Sequence, residues 1–190
     1  MDYIIGKESD LVILFSGGAD SVLLMEFAKR IKRNPIAVII DYGQLHSQEL
    51  TYAKNYCIDN NIAFKFIEIK GYNVKSGLTT GEKGLYEGVH QMNVPARNSI
   101  FISIAYGVAE EKGITEVWWG ADYSDYEHKF PDCTQEYCGR MNSVLEIAGV
   151  KPIKLYAPLL GFTKEMVLTL LKEEYGITKE KIFSGYGEFE

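Results

Sequence analysis

Residues 11–31 read Leu-Val-Ile-Leu-Phe-Ser-Gly-Gly-Ala-Asp-Ser-Val-Leu-Leu-Met-Glu-Phe-Ala-Lys-Arg-Ile. Leu11 to Phe15 is an unbroken apolar run, the pattern of a strand covered on both faces. From Ser21 to Ile31 the apolar residues Val22, Leu23, Met25, Phe27, Ala28 and Ile31 recur at helical spacing. The chain therefore turns from buried strand to helix across Ser16-Gly17-Gly18-Ala19-Asp20-Ser21. Such a turn suits phosphate. Glycine lets the backbone approach an oxygen with no Cβ in the way, and a helix start offers unpaired N–H donors at its positive end. Ser16 and Ser21 add hydroxyl donors. Asp20 would repel a triphosphate unless it carries a Mg²⁺ ion, so it points to a metal-bound nucleotide. No Gly-Lys-Ser/Thr follows, and the loop is not a Walker A sequence.

The alternation continues downstream. Asn34-Pro35 ends the helix, Ile36 to Ile40 reads as a second buried strand, and Ser47 to Asn60 as a helix with Leu50, Ala53, Tyr56 and Cys57 on one face. Phe64 to Ile69 alternates as a third strand. This order predicts an α/β fold: a doubly wound, mostly parallel, Rossmann-like sheet with helices on both faces. Residues 70–93 hold Gly71, Gly77, Gly81, Gly84 and Gly88 with little periodicity, which predicts a flexible loop that closes over substrate. Asn98 to Lys112 reads as a helix with Ile100, Phe101, Ile104, Ala105 and Val108 inward, capped by Gly113. A strand over Glu116 to Gly120, a loop over Asp122 to Thr134, a helix over Gln135 to Ala148, a strand over Ile153 to Tyr156 and a helix over Thr163 to Tyr175 complete the chain. Trp118 and Trp119 read as packing residues rather than a stacking platform.

Composition narrows the function classes. A chain of 190 residues suits one domain, and 46% hydrophobic with 24% charged residues is ordinary for a globular protein. A net charge of −6 and a pI near 5.2 argue against direct nucleic-acid binding. The 3 cysteines, Cys57, Cys133 and Cys138, are spread too widely for a disulfide framework and suit a reducing, cytoplasmic setting. No apolar run approaches the roughly 20 residues needed to span a bilayer, so no membrane partner is expected.

The hexapeptide Ser16 to Ser21 resembles the pyrophosphate loop of ATP-pyrophosphatases of the adenine nucleotide alpha-hydrolase type. Those enzymes cleave ATP between the α and β phosphates and adenylate a substrate oxygen. Further segments sharpen the likeness. Asp41-Tyr42-Gly43-Gln44-Leu45-His46-Ser47-Gln48-Glu49-Leu50, Val94-Pro95-Ala96-Arg97-Asn98, Asp125-Tyr126 with Phe130-Pro131-Asp132-Cys133, and Ala157-Pro158-Leu159 before Phe162-Thr163-Lys164 resemble segments of the 7-cyano-7-deazaguanine (preQ0) synthase family, in the same order.

That resemblance implies ATP and Mg²⁺, with 7-carboxy-7-deazaguanine as substrate and ammonia as nitrogen donor. The carboxylate would become an acyl-adenylate, then an amide, then on a second adenylation the nitrile. Nucleotide contacts fall to Ser16, Gly17, Gly18, Ala19, Asp20, Ser21, Asp41, Tyr42 and Gly43, with Asp20 holding the metal. Substrate contacts fall to Gln44, His46, Glu49, Arg97, Asn98, Asp125, Tyr126 and Asp132, and catalytic roles to Asp20, Arg97 and Lys164. A guanidinium such as Arg97 can meet phosphate or carboxylate oxygens in pairs, and Asp125 and Asp132 can accept from purine-like N–H groups. His46 with Glu49, and Lys164 with Glu165, also suit plain helix starts.

The chain departs from the family at its end. A four-cysteine zinc site beginning W-S-C-Y is replaced by Phe183-Ser184-Gly185-Tyr186, and Thr134 stands where the family has Arg. We expect no zinc, and a shortened tail stabilised in a homodimer through Phe183, Tyr186 and Phe189. The same departure allows a reaction that stops at 7-amido-7-deazaguanine. A tRNA-thiolating enzyme would need basic patches and paired cysteines, and a non-catalytic nucleotide binder would not need Arg97 and Asp125.

Overall fold

The apolar run after Asp10 forms β1 (Leu11–Leu14), and the chain continues through α1 (Ala19–Arg30), β2 (Pro35–Asp41), α2 (Gln48–Asp59), β3 (Ala63–Glu68) and α3 (Arg97–Lys112). Then follow β4 (Glu116–Trp118), α4 (Tyr123–Glu127), α5 (Gln135–Ala148), β5 (Lys154–Tyr156) and α6 (Lys164–Tyr175). The computed structural model describes residues 8–72, 74–81, 92–127, 130–178 and 182, with Tyr126 as backbone alone.

The strands form one sheet in the order β3-β2-β1-β4-β5, and each neighbouring pair is parallel. Side chains leave a strand on alternate faces, so a central strand must be apolar throughout. Leu11 and Ile13 join one core with α1, α2 and α6, whereas Val12 joins a second core with α3 and α5. β3 divides the same way, with Phe64 and Phe66 on the first core and Ile67 on the second. Both layers expected from the alternation are present, and the sheet is doubly wound.

The strand order positions the site. The chain leaves β1 for β2 and β3 on one side, then returns past β1 to lay down β4 on the other. In doubly wound sheets such a switch is where ligands bind, at the C-terminal ends of the strands. Phe15 and the Ser16–Ser21 loop emerge there, beside Trp119-Gly120-Ala121-Asp122.

Several details differ from the sequence expectations. The span 122–134 is not all loop, because Asp122 and Asp125 cap one another's backbone N–H (3.0 and 3.2 Å) and start the short helix α4. Five residues are too few to show helical periodicity. β4 ends at Trp118, two residues before the expected end at Gly120. α3 buries Ile102, Ala105, Tyr106, Val108 and Ala109, while Ile100 is only half-buried. A helix apolar on most sides does not reveal its deepest face. Gly113 caps α3 at φ 71°, as expected. Trp119 is buried in the second core against Tyr137 (5.9 Å), and Trp118 packs on the first. Within the expected 70–93 loop, residues 82–91 lie outside the described residues; so do the tail residues Phe183, Gly185, Tyr186 and Phe189.

Candidate active site

The loop between β1 and α1 is held by its own hydroxyls. Gly17 N–H donates to Ser21 Oγ (3.1 Å), Gly18 N–H donates to Ser16 Oγ (3.2 Å), and the Ser21 hydroxyl donates to the Gly18 carbonyl (3.0 Å). Gly17 sits at φ +83°, where an added Cβ would meet Tyr52 Cδ1 at 3.0 Å and Ala53 at 3.2 Å. Only glycine fits both the backbone twist and the space. Gly18 caps α1 with no side-chain hydrogen bond, so the cap residue itself leaves the N–H groups at the helix start available. A Cβ on Gly120 would lie 3.1 Å from Asp20 Cβ, which shows how closely the β4 end approaches the loop.

Three charged side chains from distant parts of the chain meet there. Lys164 Nζ lies 2.5 Å from Asp20 Oδ2 and 3.2 Å from Asp122 Oδ2. Thr163 caps α6, and the Lys164 N–H donates to Ser124 Oγ (2.8 Å), tying α6 to α4. Asp122 is wholly buried and was not anticipated from sequence. Its signal was the Asp-x-x-Asp capping pattern at 122–125, which marks a helix start but says nothing of Lys164.

Two carboxylates thus share one ammonium. Burial pushes the Asp20 carboxyl up to about 7; Lys164 pulls against this and Asp122 adds to it. Burial alone would lower Lys164, but Asp20, Asp122 and Asp125 outweigh it and raise the ammonium above its usual range. Asp20 Oδ1 is buried without a hydrogen-bond partner. A surplus of buried negative charge with an unpaired oxygen fits a divalent cation that takes its remaining ligands from phosphate and water.

A second group gathers at the ends of β2 and α3. Asp41 Oδ1 accepts from Gly43 N–H (3.0 Å), Gln44 Oε1 accepts from Tyr42 N–H (3.0 Å), and Gln44 Nε2 donates to Glu49 (2.8 Å). Arg97 Nη1 lies 3.5 Å from the Tyr42 hydroxyl, its Nε donates to Asn98 Oδ1 (3.3 Å), and Tyr42 rests on Phe101. Burial raises the Glu49 carboxyl, while Gln44, Arg97 and His46 pull it down. Ala96 precedes α3 at φ 59°, a left-handed conformation that is strained without glycine and that sets where Arg97 begins the helix.

At the start of α3 an open cleft of about 370 Å³ is lined by Pro95, Ala96 and Ser99 together with Pro131, Asp132 and Tyr137. Ser99 and Tyr137 are further residues that sequence reading missed. Asp125 is placed less freely than expected, since one carboxylate oxygen caps α4; burial raises its carboxyl and Asp122 adds to this. The Tyr126 side chain lies outside the description. Thr134 accepts from Tyr137 N–H (3.0 Å) and caps α5.

All 3 cysteines are buried free thiols. Burial pushes Cys57 up to about 12 and raises Cys133 and Cys138 as well, the reverse of what a reactive thiolate needs. Among the described residues no helix is long and apolar enough to cross a membrane, and no group of three His, Cys, Asp or Glu stands ready to hold a metal by itself.

The family model described as "Queuosine biosynthesis protein QueC" matches residues 10–190. The 7-cyano-7-deazaguanine synthase of Alteromonas mediterranea is 34% identical over 168 residues, covering 84% of this chain and 77% of that one. The synthase of Pseudoalteromonas atlantica is 35% identical over 167 residues, with 84% and 76% covered. Among solved structures, U34-tRNA thiolase NcsA from Methanococcus maripaludis superposes with a TM-score of 0.58 at 21% identity, over 95% of this chain and 60% of that one. NH3-dependent NAD synthetase from Campylobacter jejuni gives 0.56 at 20% identity, over 88% and 64%. At such identities these two share the fold alone.

Proposed function

The chain belongs to the QueC family of queuosine biosynthesis proteins, and from that premise we propose that it adenylates the carboxylate of 7-carboxy-7-deazaguanine and passes it to ammonia. A carboxylate is a poor electrophile because its charge is shared between two oxygens. One of these oxygens attacks the α-phosphorus of ATP, the bond to the β-phosphate oxygen breaks, and pyrophosphate leaves. Ammonia then attacks the acyl carbon, loses a proton, and AMP departs with the bonding electrons and the former carboxylate oxygen. The product is the amide. A second ATP then adenylates the amide oxygen and releases pyrophosphate; loss of both N–H protons as AMP departs with that oxygen gives the nitrile, which carries neither carboxylate oxygen.

The observation that carries this reading is Asp20, Asp122 and Lys164 meeting at the glycine loop on the sheet's switch point. The start of α1, without a side-chain cap from Gly18, offers N–H donors to phosphate, and Lys164, held beside the loop by Asp20 and Asp122, supplies a positive charge for the departing pyrophosphate. Asp20 and its unpaired oxygen would hold Mg²⁺, which there would offset charge on the phosphates. Arg97, steadied by Tyr42 and Asn98, is suited to orient the carboxylate toward the nucleotide. Glu49, Gln44 and His46 flank it on the β2 side.

A second reading, that the reaction ends at the amide, is favoured by Gly185 in place of the family's first zinc cysteine. One incubation tests both. ATP, Mg²⁺, ammonium and 7-carboxy-7-deazaguanine should yield pyrophosphate only when the carboxylate is present. The product mass separates nitrile from lasting amide. ATP binding without carboxylate-dependent pyrophosphate release overturns the enzymatic reading.

A further inference from the structure

The cleft at the start of α3 has a donor and acceptor pattern that the reaction itself does not use. Ser99 Oγ and Tyr137 Oη lie 2.7 Å apart. In such a pair one hydroxyl donates to the other, so one proton of the two is left to donate outward. Asp132 stands on the same cleft as a carboxylate, an acceptor only when ionised. Among the described residues it accepts only from the weak Cys133 thiol, at 3.8 Å. Pro95, Ala96 and Pro131 supply flat, apolar walls.

The hydroxyl pair is well fixed. Tyr137 is held by its backbone N–H on Thr134 Oγ1 (3.0 Å) and by its ring against Trp119, while Ser99 lies in the first turn of α3. A donor and an acceptor lining one cleft match one feature of a 7-deazaguanine ring: the lactam edge, where the N1–H donor adjoins the C6 carbonyl acceptor. A half-buried hydrogen-bonding pair of this kind discriminates more sharply than apolar packing, because a wrong ligand leaves polar groups unmatched.

We propose that this cleft binds the lactam edge of the substrate heterocycle, with Asp132 accepting from N1–H and the Ser99–Tyr137 hydroxyl pair donating to the C6 oxygen. The proposal rests on the deazaguanine reading above and adds Ser99 and Tyr137 as specificity-determining residues. The reacting carboxylate, on C7 of the fused five-membered ring, projects beside the C6 oxygen, and Ser99 stands two residues after Arg97, the residue suited to orient that carboxylate.

The test is calorimetric binding of two ligands in the presence of α,β-methylene-ATP: 7-carboxy-7-deazaguanine and its 6-thioxo analogue. The analogue keeps N1–H but replaces a good acceptor with a poor one. The wild type should prefer the oxo compound about tenfold, roughly the value of one hydrogen bond. The double variant Ser99→Ala/Tyr137→Phe should lose that preference while binding the nucleotide analogue as before. Asp132→Asn should weaken both ligands, since both present N1–H. A preference that persists in the double variant, or that is missing from the wild type, overturns the proposal and leaves the adenylation reading standing. Failure of the wild type to bind either heterocycle overturns both.

Discussion

Asp20 carries the sharpest conflict between stability and function. Its carboxyl is pushed by burial from 3.8 to about 7, so the folded protein holds this proton more tightly than the unfolded chain does. Between about pH 4 and pH 7 the native state therefore binds more protons, and the contribution of Asp20 to stability falls as pH rises. Without metal or nucleotide, Asp20→Asn should be more stable than the wild type at pH 8, by about 1–2 kcal/mol once the lost pair with Lys164 is offset. The margin should shrink toward pH 5, where the wild-type carboxyl is protonated. Turnover should fall at least about 100-fold, because the loop loses its anionic ligand for the metal. Thermal melts at the two pH values check this, and a variant less stable than wild type at pH 8 would contradict it. Lys164 and Asp20 are 144 positions apart, and that separation is why the site was only half legible in the sequence. Asp20 and Lys164 lie in recognisable segments, but Asp122 is a single acid after a short strand. Its importance appears only once folding brings three charges together.

At the scale of the element, the strand-to-helix turn after β1 was readable because its chemistry is local. Gly17, Gly18 and the two serines act within six residues, and the hydrogen bonds found there are the ones such a loop needs. Gly17→Ala tests that economy of space. A Cβ at φ +83° costs about 1–2 kcal/mol in backbone strain, and this one would also press on Tyr52 and Ala53 of α2. The KM for ATP should rise at least about tenfold as the loop shifts, while the urea midpoint drops. An unchanged KM would show that the loop does not shape the nucleotide site. Other elements were less legible. α4 is too short to show a period, and its signal is a pair of reciprocal caps. α3 is apolar on most sides, so its inward face follows from packing on β1 rather than from spacing. The Ser99–Tyr137 pair joins α3 to α5 across 38 positions, a meeting no local pattern announces.

Across the whole molecule, the doubly wound sheet followed from the alternation of apolar runs and amphipathic helices, since each strand had to be covered on both faces. The switch point between β1 and β4 did not. Strand order depends on which face each helix takes, and α3 takes the face opposite α1. The same two-sided burial governs the thiols. Cys57 lies in one core and Cys133 and Cys138 in the other, with thiols raised by burial. Iodoacetamide at pH 7.5 should therefore add nothing to the folded protein, yet alkylate all 3 cysteines in urea, as intact mass would show. Rapid modification of the native protein, with loss of turnover, would instead point toward thiol chemistry. The acyl-adenylate is the centre of the account, and oxygen labelling reaches it directly. With ¹⁸O in the substrate carboxylate, each AMP released should carry one labelled oxygen, one AMP per amide formed and two per nitrile. Unlabelled AMP, or ADP and phosphate in place of AMP and pyrophosphate, would contradict adenylation of the carboxylate.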